Sequence, residues 1–353
     1  MTLLVKRRKE AERKKTETDK TLQTMASMFV NHTFQVSQGD ACRFPSNQFG
    51  FSLSSNYSPF LLQDFEQVLR RYMRLEIYCD AVESSGASLD SEQKQGEPDL
   101  FQALFFPKSI APRTPMRSVT KTLMTEGTLS SMWFRLVAHY FEWLAGISEL
   151  QYFSDEDKLR LAVCQLCKVI CFSVVYLNYE KKNGEENEFL FFGSGYYWDP
   201  ARSHDPLMTD YCTEMNRAIK QVLSPVRKVR LTKEEYVLAK LILLFDCTNL
   251  IGISVEGLEF ARSMCSKYRT TLSNYVRNQA EERANLENWT EEQINWFSMQ
   301  RIRSILDMPI GIEKLGKLDD DILVGMVEAN YGGMRGTLQQ QIHTESKKFR
   351  HFR

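Results

Sequence analysis

The sequence lacks the patterns that mark most enzymes and nucleotide-binding proteins. No Gly-rich phosphate-binding loop is present, since the run Gly193-Ser194-Gly195 is followed by aromatic residues rather than by a helix. No nucleophile elbow is found, and the five histidines lie far apart in the chain. Basic and acidic residues number 45 each, so no net charge draws the chain to nucleic acid or to a membrane surface. We therefore expect no catalysis and no cofactor.

Paired cysteine motifs are also missing. Eight cysteines are scattered along the chain, and the one cluster, Cys164, Cys167 and Cys171, is spaced for one face of a single apolar helix. Without a second pair this cluster cannot supply four zinc ligands, so no metal site is predicted. Scattered free thiols are typical of a reducing compartment. The run Leu3-Leu4-Val5 is too short for a secretory signal and Val169 to Tyr179 is too short to cross a membrane, so we expect a soluble intracellular chain.

The strongest pattern lies between Met132 and Tyr179, where two apolar helices meet at a short polar corner. Apolar residues recur on nearly every face of the second helix, which predicts a helix surrounded by others. At the corner Ser154 can cap this second helix, and three acidic residues follow in its first turn. The first helix has one broad apolar stripe, typical of a helix that faces a core. The stripe consists of Trp133, Leu136, Val137, Tyr140, Phe141, Leu144 and Ile147.

The same stretch contains the runs Glu142-Trp143-Leu144, Glu149-Leu150-Gln151 and Phe153-Ser154-Asp155-Glu156-Asp157-Lys158-Leu159. With these runs it resembles the ligand-binding domain of nuclear hormone receptors and is most similar to the nematode branch of that family. The resemblance implies an all-α fold, a three-layer antiparallel helical sandwich with a small β-hairpin. The aromatic run from Phe189 to Trp198, broken by glycines, is the predicted hairpin.

The composition divides the chain into four parts. Residues 1–20 form a basic arm, and residues 21–56, rich in polar residues without a steady period, are predicted to be a disordered linker. The ligand-binding domain is predicted from residue 57 to residue 330. Residues 331–353 are predicted to be a polar tail.

The resemblance implies a transcription regulator in the nucleus. It would bind a small lipophilic ligand, form homodimers or heterodimers with other nuclear receptors, or do both. The zinc module with which the family reads DNA is absent from this sequence, so DNA contact is expected only through a missing domain or a partner, and no membrane contact is expected. Two alternatives stay open. One is a ligand-independent dimerisation and interaction module with a filled pocket, and the other is a helical enzyme or lipid carrier.

Helix faces suggest the candidate ligand-binding residues, although plain core packing is the better explanation for each of them, because large apolar side chains mostly belong to the core. By resemblance, dimerisation would use the helix from Glu291 to Leu306, where Arg301 and Arg303 lie beside an apolar stripe. The ligand-binding candidates are Val137, Phe141, Phe172, Phe191, Tyr196 and Ile302.

A coactivator groove is the third predicted site. In the family, a lysine at the end of the third helix and a glutamate in the final helix hold the two ends of a bound peptide helix, where partial charges remain. Here Ala145 takes the lysine position. The final helix is predicted at 320–329, with Gly325 in the acidic position, so coregulator proteins are expected to bind only weakly. The predicted groove residues are Leu144, Ala145, Lys158, Gly325 and Glu328.

Overall fold

A computed structural model describes residues 65–81, 98–117, 121–182, 188–248 and 250–345. The predicted basic arm and linker lie outside the described residues. Most of the described chain is helical, so the predicted all-α class is confirmed. The helices are α1 Phe65–Cys79, α2 Leu100–Phe105, α3 Glu126–Ala145, α4 Asp155–Glu180, α5 Pro206–Val229, α6 Lys233–Leu244, α7 Val255–Glu287, α8 Glu291–Leu306 and α9 Met308–Glu328. Short 3-10 turns lie at Pro107–Ser109, Ser148–Tyr152, Pro200–Arg202 and Tyr331–Gly333.

The helices pack in three layers around α4. One outer layer contains α1 and α3, the middle layer contains α4, α6 and α7, and the other outer layer contains α5, α8 and α9. α9 crosses α4 closely at Gly316, where a Cβ atom would lie 3.0 Å from the backbone of Lys168. The predicted three-layer helical sandwich is therefore confirmed.

The corner between α3 and α4 is formed as its sequence predicts. The Ser154 hydroxyl accepts a hydrogen bond from the amide of Asp157 at 3.1 Å and caps α4. α4 is long and apolar enough to cross a membrane, since its most apolar 18 residues have a mean hydropathy of 1.8. However, 89% of these residues are buried inside the protein. α4 is therefore the central buried helix of the sandwich, and Leu166 in the middle of α4 is almost fully buried.

A small sheet covers one end of α4. Strands β2 Leu190–Gly193 and β3 Tyr196–Trp198 form the predicted antiparallel hairpin, and a short strand β1 Thr122–Leu123 pairs in parallel with β3. Ser194 and Gly195 make the turn with φ angles of 52° and 85°, a left-handed geometry that glycine adopts without strain. The sequence did not predict β1, which is only two residues long.

The C-terminal region differs from the sequence prediction. The predicted final helix at 320–329 is not a separate helix but the last part of α9. α9 begins at Met308, and Pro309 lies in its first turn, where proline is tolerated. Beyond it, a helical turn Thr337–Gln339 continues as a π-helix Gln340–Glu345, and we call residues 337–345 the terminal segment. Since Leu338 and Ile342 are buried there, the described chain stays folded well past the predicted boundary at residue 330.

Candidate functional site

A cavity lies inside the sandwich between α3, α4, α5, α9 and β2. Its volume is about 30 Å³, which is room for about one water molecule, whereas drug-sized ligands occupy pockets of roughly 300–1,000 Å³. The domain's own side chains therefore fill most of its interior. The lining residues are almost all apolar: Met132, Trp133, Leu136, Val137, Leu166, Ile170, Cys171, Val174, Phe192, Tyr211, Met215, Asp319 and Leu323.

Asp319 is the charged exception in this lining. Burial raises the pKa of its carboxyl to about 7, and the neighbouring charge of Asp320 acts in the same direction. Hydrogen bonds oppose this rise, since Asp319 accepts from the Tyr211 hydroxyl at 3.1 Å and from the Cys171 thiol at 3.6 Å. The cavity thus has one acidic wall that is close to half protonated near neutral pH.

Asp320 faces the other way and holds the terminal segment. The indole Nε1 of Trp133 donates to Nε2 of His343 at 2.9 Å, and Nδ1 of His343 lies 2.9 Å from a carboxylate oxygen of Asp320. Because an indole N–H can only donate, Nε2 must be the unprotonated nitrogen, so Nδ1 carries the proton and donates to Asp320. All three side chains are buried. This His343 cluster (Trp133, His343, Asp320) ties α3, the terminal segment and α9 together.

Cys167 adds a fourth group to the cluster, and its thiol lies 3.6 Å from Asp320. Potential ligand atoms of Cys167, Asp320 and His343 lie within 4.8 Å of one another, a spacing that a metal ion could bridge. A metal on Nδ1 of His343, however, would move the imidazole proton to Nε2, where it would oppose the Trp133 N–H. The hydrogen-bond geometry therefore favours a structural polar cluster over a metal centre.

The predicted ligand-binding residues are dispersed. Val137 lines the cavity, but the other five do not line it. Phe172 packs on Tyr236, with ring centroids 5.0 Å apart, and Phe191 lies on the opposite face of β2 from the lining residue Phe192. Of the remaining three, Phe141 is buried in the core, Tyr196 lies in β3 and Ile302 lies on α8.

The predicted groove residues lie on three different helices. Leu144 and Ala145 end α3, one buried and one exposed, and Lys158 lies in the first turn of α4. Gly325 and Glu328 are exposed near the end of α9 and do not belong to the terminal segment.

One turn before the end of α3, the sequence analysis overlooked a buried acidic group. The carboxylate of Glu142 accepts two hydrogen bonds from Nε of Arg113, at 2.8 and 2.9 Å. This pair fixes the chain that follows α2 onto α3. The charged side chain near the end of α3 is therefore acidic and paired with Arg113, and Ala145, the predicted lysine position, is exposed.

The predicted dimer residues differ from each other in their surroundings. Arg301 points inward, because its Nη2 donates to Glu235 at 2.8 Å and its Nη1 to the carbonyl of Val229 at 3.1 Å. Arg303 is exposed and lies 3.8 Å from Asp307 on the same helical face. Arg301 therefore joins α8 to α6, and only Arg303 remains a surface residue.

A family model described as the ligand-binding domain of nuclear hormone receptor matches residues 115–306, more than half of the chain. The chain belongs to this nuclear hormone receptor family. The helical sandwich agrees with that assignment. Members of the family regulate transcription in the nucleus and are generally not enzymes.

The residues that carry the nuclear receptor resemblance stabilise the corner between α3 and α4. Glu149 is buried and accepts from Nζ of Lys267 at 3.2 Å and from the hydroxyl of Tyr72. Burial alone would raise the pKa of Glu149, but the Lys267 charge and the tyrosine hydrogen bonds lower it below its ordinary value. Asp157 accepts from the amide and the hydroxyl of Ser254, at 2.8 and 2.6 Å. The signature of the receptor domain is therefore a set of bonds from the corner to α1 and α7.

Proposed function

We propose that this domain regulates transcription by pairing with a second receptor domain, and that no ligand is needed to hold its terminal segment in place. Two features support the second part. The cavity has space for about one water molecule. The terminal segment is already held by the His343 cluster and by its buried apolar residues.

The observation that carries the pairing proposal is an exposed apolar stripe on α8 and the start of α9. Trp296 and Met299 are 65% and 66% exposed, and with Arg303 they repeat at three- and seven-residue spacings on one helical face. Ile310, 63% exposed, follows beyond the junction with α9. Large exposed apolar groups gathered on one face mark interaction surfaces, whereas single ones need no explanation.

A second copy of this chain is the partner that we propose first. A two-fold contact uses the same surface on both copies, so that surface must be self-complementary. The stripe meets this condition, because its apolar side chains are flanked by charges of both signs, Arg303 and Asp307. A different receptor domain with a similar stripe would pair through the same face.

The test is sedimentation velocity of the whole chain over a range of concentrations. Trp296→Glu should shift the equilibrium to monomer, because it places a charge in the apolar centre of the stripe. The matched control is Ile77→Glu, which changes an equally exposed apolar residue on α1 and should leave association unchanged. A wild-type monomer at every concentration, together with no captured receptor domain, would contradict the proposal.

Binding of a small lipophilic ligand is the second candidate, favoured by the apolar lining of the cavity. The cavity would have to expand about tenfold to accept a drug-sized molecule. Native mass spectrometry of the purified protein separates the two candidates. A retained mass that is lost on denaturation would favour the ligand, and the bare chain mass would favour the filled interior.

A further inference from the structure

Helix α2 lies on the surface that is bounded by α3, α4 and the terminal segment. It packs against all three elements, although it comes from the chain between α1 and α3. The aromatic ring of Phe105 at its end lies 5.7 Å from Nζ of Lys158, in the first turn of α4. α2 therefore occupies the groove between α3, the start of α4 and the terminal segment.

The sequence of α2 is that of a helix that binds in a groove. Ala103 and Leu104 are buried, Leu100 is partly buried against the core, and Gln102 points to solvent. Apolar contacts at i, i+3 and i+4 are how amphipathic peptide helices are recognised. A helix of six residues is not stable alone in water, so docking must supply the free energy that keeps α2 helical.

Both ends of α2 are held by polar groups. At its start, Asp99 accepts from the amide of Gln102 at 2.8 Å, and the Gln341 side chain of the terminal segment accepts from the amide of Leu100 at 2.7 Å. These bonds satisfy amides that a helix start leaves without partners. After α2, the Arg113–Glu142 pair fixes the following chain to α3.

The contact is nevertheless shallow. Phe105 and Phe106 remain 39% and 48% exposed, so much of the aromatic surface of this stretch is not covered. A tethered segment competes at a high effective concentration, of the order of millimolar for a short linker. A shallow contact can thus exclude a free peptide and still be displaced by a tighter one.

We propose that α2 is an intramolecular competitor: it occupies in cis the groove between α3, α4 and the terminal segment, and it blocks that groove to an amphipathic helix of a coregulator protein. The partner helix would carry apolar side chains at i, i+3 and i+4, as α2 does with Leu100, Ala103 and Leu104. This proposal rests on the regulatory role proposed above but not on dimerisation. It gives a different reason for weak coactivator binding than a missing charge clamp, since the groove is already filled.

The test uses the whole chain and two fluorescein-labelled peptides, residues 98–106 of this protein and a leucine-rich coactivator helix, in fluorescence anisotropy. Leu104→Asp should release α2, because it places a carboxylate on the buried face. The matched control, Gln102→Asp, adds the same charge to the exposed face of the same helix. We expect both peptides to bind Leu104→Asp at least about 10-fold more tightly than they bind the wild type or the control.

A second variant covers the case in which Leu104→Asp does not fold. Asp99→Ala with Gln341→Ala removes the two bonds at the start of α2 and leaves its apolar face intact, and it should give a smaller gain in the same direction. Equal binding by the wild type and the folded variants would overturn the proposal. Binding of the 98–106 peptide without the coactivator helix would overturn the partner assignment. Dimerisation is measured separately by sedimentation, so its failure would not be confused with either result.

Discussion

The His343 cluster gives the sharpest prediction, because one side chain joins three elements. We consider His343→Leu, which keeps a buried apolar group of similar size but removes both imidazole nitrogens. The Trp133 N–H and the Asp320 carboxylate would each lose a partner, having been bonded at 2.9 Å. Leaving the buried indole N–H of Trp133 without a partner costs about 1–3 kcal/mol. Asp320 keeps its contact with the Cys167 thiol but loses one hydrogen bond to a charged group, which contributes about 1.5–3 kcal/mol. The closed position of the terminal segment should therefore lose roughly 3 kcal/mol or more.

The loss of stability in His343→Leu should be confined to the terminal segment. When the terminal segment opens, Trp133 and Asp320 gain access to water, so the penalty applies to the closed state alone. Elements such as α4 and α6 make their own contacts and do not depend on the imidazole. A decrease of roughly 3 kcal/mol in the opening free energy raises amide exchange about 100-fold, since each 1.36 kcal/mol is a factor of ten.

Hydrogen–deuterium exchange followed by mass spectrometry measures this directly on peptides from residues 337–345. The control is Gln340→Ala, an exposed position in the same segment, which should leave exchange nearly unchanged. Unchanged protection of the segment in His343→Leu would refute the reasoning, because the two hydrogen bonds would then contribute nothing. An equal loss of protection in α4 would also refute it, since the segment would then not open independently.

Three further predictions concern the interior. Leu166→Asp places a carboxylate at the centre of α4 and should give unfolded or insoluble protein; a soluble variant with an unchanged Tm would contradict the buried position. Glu149→Leu breaks the buried ion pair with Lys267 by removing its acidic side chain, and it should lower the free energy of unfolding by about 3–5 kcal/mol in urea titrations. Asp319 has a folded-state pKa of about 7 against an ordinary 3.8, so the stabilisation from its protonated form is complete below pH 4 and lost as pH rises through 7. Asp319→Asn should remove this decline in stability between pH 4 and pH 7, and identical pH profiles would count against it.

The parts of the fold that follow from local chemistry were predictable from the sequence. The Ser154 cap depends on neighbouring residues, as do the capping boxes at Thr232 and Thr290, and all three are present. The apolar stripe of α3 and the apolar surface of α4 require a multilayer helical fold whatever the order of the other helices. This explains why the central helix pair identified the family.

The site was less predictable, because it is made by contacts between distant residues. Trp133 and His343 are 210 positions apart, and nothing local marks them as partners. Carboxylates usually lie at the surface, and a helix pattern alone does not show that Asp319 and Asp320 are both buried. The predicted Phe191 lies one residue from Phe192, which lines the cavity, and a difference of one residue exchanges the two faces of a strand.

The terminal segment and α2 depend on each other through two neighbouring side chains. Gln341 accepts from the first amide of α2, and His343, two residues later, holds the segment to Trp133 and Asp320. Release of either element removes a contact from the other, so the two openings must be thermodynamically coupled. A ligand can shift such an equilibrium only by binding one state better than the other. In the closed state the cavity has space for about one water molecule, so a lipid can make few contacts there. A partner helix, in contrast, can contact the whole groove once α2 has left it. Displacement of α2 is therefore the more direct way for a regulatory signal to reach the terminal segment.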